Sequence, residues 1–106
     1  MAPGRIPAPS YRKVYAGGRS ISNRFLVLYY LPEPSGIRMG VSVPARLGKA
    51  TVRNKLRRQV KEAFRPFLPG SLPGQFVFIV RRAASTASFQ DIAEAIKGLV
   101  KRMETQ

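Results

Sequence analysis

Residues 25 to 31, FLVLYYL, form an unbroken apolar and aromatic run that stops at the turn formers Pro32, Pro34, Ser35 and Gly36. Such a run predicts a well buried strand. A second strand is predicted over Ile37 to Val43, where Ile37, Met39, Val41 and Val43 alternate with Arg38, Gly40 and Ser42. Its one face meets a core and its other face stays small or polar. With only a short turn between them, these two strands are expected to pair as an antiparallel hairpin. A third strand is predicted at Gln75 to Val80, between PGSLPG and Arg81, and residues 20 to 23 are read as a short edge strand.

Elsewhere the period changes from two to 3.6. Between Val52 and Arg65, at 100° per residue, Val52, Leu56, Val60, Ala63, Phe64 and the following Phe67 share one arc of roughly 120°. Thr51 is available as a cap, and Pro66 disfavours continuation beyond Arg65. A closing helix of about fifteen residues is predicted from Ser88, which with Asp91 fits a capping box. There Phe89, Ile92, Ala93, Ile96, Leu99, Val100 and Met103 recur at i, i+3, i+4. Near the other end, Ser10 is read as the N-cap of a short helix through Tyr11, Val14 and Tyr15, which Gly17 and Gly18 stop. Residues 1 to 9, with Pro3, Pro7 and Pro9, read as a flexible lead-in, leaving 10 to 106 as one domain. Strand 37 to 43, the helix after it and strand 75 to 80 make a β-α-β unit if the two strands are neighbours. The whole is expected to be a two-layer α+β domain of order α-β-β-(β)-α-β-α.

Composition narrows the chemistry. The 106 residues include 19 Lys and Arg, 5 Asp and Glu, and neither Cys nor His, for a net charge of +14. No thiolate or imidazole metal site, no His-served nucleophile and no disulfide framework can be built. The acids Glu33, Glu62, Asp91, Glu94 and Glu104 are scattered, and Asp91 with Glu94 has ordinary spacing for the start of a helix. A protein-borne hydrolytic site is therefore not expected. No apolar run approaches the ~18 residues of a membrane span, and MAPGRIPAPS lacks the apolar core of a signal peptide. The reading is a soluble protein of the cytoplasm.

Half of the excess charge, +7, lies in residues 46 to 65. Arg46 and Lys49 lead into the helix; with Arg53 at zero, Arg57, Lys61, Asn54, Arg65 and Arg58 then fall at about 40°, 80°, 100°, 120° and 140°. Like charges at i, i+4 cost a few tenths of a kcal/mol per pair, and a solvated face normally mixes signs. Only Glu62 does so here. The stripe therefore points to a polyanion, with Arg able to fork onto phosphate oxygens. Asn54 suits either a base edge or 2′-hydroxyl, or a local bond. Membrane binding is disfavoured because the helix's apolar face is needed to cover the sheet.

These residues carry a resemblance. YRKVYAGGRSISNRFLVLYY and MGVSVPARLGKATVRNKLRRQVKEAFR are similar to the opening helix, first strands and signature region of the bacterial ribonuclease P protein subunit, over about Tyr11 to Arg102. Arg53, Asn54, Arg57, Arg58, Lys61, Phe64 and Arg65 fall on the family's Arg-Asn-x-x-Lys-Arg-x-x-Arg-Glu-x-Phe-Arg pattern. The resemblance implies a fold of ribosomal-protein type with a left-handed β-α-β crossover, against the usual hand. It implies a catalytic RNA partner that the basic helix faces, and precursor tRNA as substrate, its 5′ leader cleaved through Mg²⁺ held by RNA. No protein partner is required. It also implies a leader-binding cleft between the first helix and the sheet, assigned to Tyr11, Tyr15, Arg24, Phe25 and Val27. The family commonly has two Phe where Tyr11 and Tyr15 stand; these rings either stack on bases or pack on the sheet. Its usual Ser-Lys-Lys is replaced by Pro44, Ala45 and Arg46, and its basic N-terminal tail is reduced to Arg5. The alternative function is a small structural RNA-binding protein of the ribosome type, which would need no single-strand cleft.

Overall fold

The computed structural model describes residues 4–6, 8–70 and 72–105. In chain order its elements are β1 (Gly4–Arg5), α1 (Ala8–Gly17), β2 (Arg19–Ser22), β3 (Leu26–Pro32), β4 (Ile37–Ser42), α2 (Ala50–Phe64), β5 (Gly74–Val80) and α3 (Phe89–Glu104). Short 3-10 turns follow β4, α2 and β5, at Ala45–Leu47, Arg65–Gly70 and Arg82–Thr86.

The strands form one sheet in the order β1-β4-β5-β3-β2. The expected hairpin between residues 25 to 31 and 37 to 43 is not formed. Instead β5 lies between them, antiparallel to β3 with Leu28 opposite Phe78, and parallel to β4 with Val41 opposite Phe78. The physical reason is burial: Gln75, Phe76, Val77, Phe78 and Val80 are all buried, so this strand needs cover on both faces and both edges. The β4-α2-β5 unit is accordingly formed with its strands adjacent and parallel. β2 takes the edge position beside β3.

Alternation along the strands makes two cores. Leu26, Leu28 and Tyr30 of β3, Met39 and Val41 of β4, and Phe76, Phe78 and Val80 of β5 pack with α2 and α3. At the centre Phe64 of α2 meets Phe76 at 5.1 Å and Phe78 at 5.3 Å between ring centroids, within the range of favourable aromatic pairs. The second face carries a smaller cluster of Ile6, Val14 and Val77, flanked by Tyr11, Tyr29, Leu31 and Ile79. α1 supplies Val14 and lies over this face.

The expected lead-in over residues 1 to 9 is in part built into the domain: Gly4 pairs with Arg38 and Arg5 with Met39, Ile6 is buried, and α1 begins at Ala8. A two-residue edge strand needs few ladder donors, so a proline-rich sequence is compatible with this pairing. Ser10 lies within α1 rather than at its cap. Residues 1 to 3 and 7 fall outside the described residues. Thr51 does not cap α2; the N-cap is Lys49, whose carbonyl accepts from Arg53 N–H at 3.0 Å. Val52, placed by periodicity on the apolar arc, is 40% exposed, sitting in the first turn beside Gly48 at the rim of a hollow shared with Ala84, Ser85 and Ala87. α3 starts at Ser88 with the capping box to Asp91 formed in both directions. Among the described residues no helix is long and apolar enough to cross a membrane.

Candidate nucleic-acid interface

Two surfaces of different chemistry stand on this frame. The first is α2, whose buried Leu56, Val60, Ala63 and Phe64 fix its rotation against the sheet. That rotation turns Asn54, Arg58, Lys61 and Arg65 fully outward, with Arg53 and Arg57 half-buried at the border. Arg53 Nε donates to the Gly48 carbonyl at 3.2 Å and Arg57 Nη1 to Asn54 Oδ1 at 2.8 Å. Asn54 thus makes the local bond, and orients Arg57. Arg65 forms an exposed ion pair with Glu62 at 3.1 Å, a type of contact that adds little stability. Among the described residues it is the only ion pair of the stripe.

Arg46, in the 3-10 turn, and Lys49, at the N-cap, are exposed beside the same end of α2. No acid occupies the first turn. Cations here oppose the helix dipole by ~0.3–1 kcal/mol each, so the fold gains nothing from them. A bound anion would gain, because free N–H groups and side-chain cations then converge on it.

The second surface is the aromatic face where α1 packs on the sheet. Tyr11 and Tyr15 meet edge to face with centroids 6.2 Å apart, and Tyr15 meets Tyr29 of β3 in the same manner at 5.0 Å. Tyr15 keeps 38% of its surface exposed. Burial of the rest pushes its phenol above the ordinary 10.0; the Tyr11 phenol adds to this, and a hydrogen bond with Ser42 opposes it. Both tyrosine hydroxyls of α1 sit over β4, where Gly40 and Ser42 leave room. A Cβ on Gly40 would lie 2.6 Å from Tyr11 Cζ, far inside contact distance. Val27 and Ile79, opposite one another in register, continue the same face. The floor is uncharged as far as Arg38.

Two residues expected in the cleft lie elsewhere. Asn23 Oδ1 accepts from the N–H groups of both Phe25 and Leu26 at 3.0 Å, and its Nδ2 donates to the Ala95 carbonyl at 3.0 Å. This side-chain turn breaks strand alternation before β3 begins. Phe25 therefore packs against the α2/α3 core, and Arg24 lies over its ring at 5.5 Å. Tyr29, Gly40 and Ser42 were missed as cleft residues. The period-two alternation places all three on the face of Val27, but a uniformly apolar run hides it in β3.

The match to known proteins follows this geometry. The family model for ribonuclease P matches residues 7–104. The chain belongs to the ribonuclease P protein family. It is 44% identical over 97 residues to the ribonuclease P protein component of Clostridioides difficile strain 630, covering 89% of this chain and 85% of that one. With the corresponding protein of Carboxydothermus hydrogenoformans it shares 39% over 98 residues, 89% and 84% of the two chains. The solved ribonuclease P protein of Thermotoga maritima superposes with a TM-score of 0.84 at 30% identity, over 92% of this chain and 96% of that one. That of Staphylococcus aureus gives 0.87 at 27% identity, over 93% and 94%. As a ribonuclease P protein component, the chain works in RNA processing within a holoenzyme that has an RNA partner. The basic stripe and the tyrosine cleft both lie inside the matched residues.

Proposed function

We propose that this chain binds the catalytic RNA of ribonuclease P through Arg46, Lys49, Arg53, Asn54, Arg57, Arg58, Lys61 and Arg65, and receives the single-stranded 5′ leader of precursor tRNA in the cleft of Tyr11, Tyr15, Tyr29 and Val27. The complex then removes the leader in the cytoplasm. What carries the reading is the pairing of an uncompensated cationic stripe with a separate, nearly uncharged aromatic cleft. Phosphates on α2 displace counterions and bind Arg forks; unpaired bases gain from ring faces, with no charge required beneath them. A structural RNA binder has use for the first surface but not for the second.

The hydrolytic groups belong to the RNA partner. Among the described residues no three His, Cys, Asp or Glu side chains gather where they could hold a metal ion. The donor set does not fit Mg²⁺, so the proposal assigns that ion to the RNA and gives this chain only binding and orientation. No membrane or further protein takes part. The test is reconstitution: the protein is added to its cognate catalytic RNA and precursor tRNA at low Mg²⁺, and leader release is followed. Release should rise well above RNA alone. An unchanged rate, with the protein folded and bound, would refute the reading.

A further inference from the structure

A second cationic cluster lies at the opposite edge of the sheet from the α2 stripe. The connection between β2 and β3 is held by two guanidiniums from distant elements: Arg81 Nη1 donates to the Asn23 carbonyl at 2.8 Å, and Arg102 Nη1 to the Ser22 carbonyl at 3.0 Å. Those carbonyls belong to adjacent residues, whose Cα atoms are about 3.8 Å apart, so both cations are anchored to the same short connection. Arg24, spread over Phe25 in the same connection, is the third. All three side chains are exposed, and among the described residues none is ion-paired.

Arg102, in the last turn of α3, is favoured by the helix dipole, but Arg24 and Arg81 lie outside the helices and among the described residues have no acid partner to offset their charge. Each guanidinium has five N–H donors, and the anchoring bond uses one of them, leaving the rest of the fork directed outward. The forks of Arg81 and Arg102 are oriented before any ligand arrives, which lowers the entropy lost on binding. The distance from α2 matters. Its stripe lies away from the helix side formed by Val52, Lys55 and Gln59, which borders Ala84 and Ser85. From β4, under α2, to the β2 edge is three strand spacings, roughly 14 Å. Each strand of a duplex advances about 3.4 Å per phosphate, so the two surfaces meet stretches of backbone several phosphates apart.

We propose that Arg24, Arg81 and Arg102 grip a second stretch of RNA backbone, distinct from the one held on the α2 stripe; this rests on the RNA-binding reading above. The test compares Arg24→Gln/Arg102→Gln with Arg57→Gln/Arg58→Gln and with all four changes together. Thermal melting first establishes that each variant is folded. Affinity for the catalytic RNA, and of the complex for mature tRNA, is measured from 50 to 200 mM salt. If two phosphate contacts are lost, the log-log slope becomes shallower by about 1.4–1.8, and the affinity loss across that salt range shrinks about tenfold. The arm in which this appears identifies the RNA that is gripped, and in the fourfold variant the slope changes should add.

Unchanged slopes in both arms for Arg24→Gln/Arg102→Gln would overturn the second surface. So would weaker binding at constant slope, which signals a structural effect. If instead the α2 variant alone leaves RNA binding intact, the RNA-binding role of the stripe fails independently.

Discussion

Tyr15→Ala tests the cleft at the ring that is most available to a ligand. The ring makes edge contacts with Tyr11 at 6.2 Å and Tyr29 at 5.0 Å and still shows 38% of its surface. Removing the two aromatic contacts should destabilise the fold by ~1–3 kcal/mol, at ~0.5–1.5 for each pair, which leaves a protein of ordinary stability folded at 25 °C. Removing the exposed ring face should cost ~1–3 kcal/mol per stacked base. That corresponds to about 5- to 150-fold in affinity. The assay is equilibrium binding by the reconstituted complex of precursor tRNA with a leader of several nucleotides, beside mature tRNA without it. The full loss should appear with the leader present and nearly vanish without it. Tyr15→Phe keeps the ring and loses only the half-exposed bond with Ser42, so it should stay within about fivefold, ~1 kcal/mol. Equal weakening for both substrates would show that Tyr15 supports the fold or the RNA interface, and the cleft assignment would be withdrawn.

Gly40→Ala should push the Tyr11 ring about an ångström or more off β4, cutting leader affinity several-fold while the melting temperature moves little; unaltered leader affinity would mean that the position of Tyr11 is immaterial. Gly98, in the middle of α3 with open space where a Cβ would stand, should accept Ala with a gain of ~0.5–1 kcal/mol, read from the denaturation midpoint; a loss would expose a contact not visible in the fold. Tyr30 donates to the Pro73 carbonyl at 2.6 Å, and burial raises its phenol above 10.0 against the pull of Arg19. The unfolded chain therefore releases that proton first, so its contribution is full below pH 10 and is lost as pH rises through the folded value. The stability difference between wild type and Tyr30→Phe should shrink above pH 10; a constant difference up to pH 11 would refute it. Replacing Arg57 with Ala should weaken RNA binding by ~1–2 kcal/mol and flatten its salt dependence, and a preserved slope would remove Arg57 from the phosphate contacts.

Periodicity was enough to locate the two long helices and β4, because each has one face that must be dry, whereas β3 and β5 show as apolar runs. It was also enough for the stripe, since Leu56, Val60 and Phe64 fix where Arg53, Arg57 and Arg58 point. Pairing was less legible. Phe76 to Val80 and Leu26 to Leu31 are both continuous apolar runs, which fits strands enclosed on two faces, whereas Ile37 to Ser42 alternates. Reading those two patterns together would have put β5 beside β3. Local chain separation pointed instead to a hairpin. In the cleft, Arg24 and Phe25 were misplaced by one side chain, Asn23, whose hydrogen bonds to Phe25, Leu26 and Ala95 turn the chain before the strand begins. A bond to a residue 72 positions away has no signature in local spacing.

The central position of β5 also orders events in time. β3 and β4 share no ladder except through residues 74–80, so a nascent chain that has reached α2 has two separate ladders, β2-β3 and β1-β4, and a basic helix with no continuous sheet to cover. Closing the sheet requires pairing across long sequence separations, the class of step that sets slow folding rates. During that interval the α2 cations are already carried on an incompletely folded chain, and under the proposed RNA-binding role of α2 an RNA partner can reach the protein before its core is shut. Folding and assembly with RNA then become competing or coupled reactions, and the delay is set by how soon one seven-residue strand emerges and finds its slot.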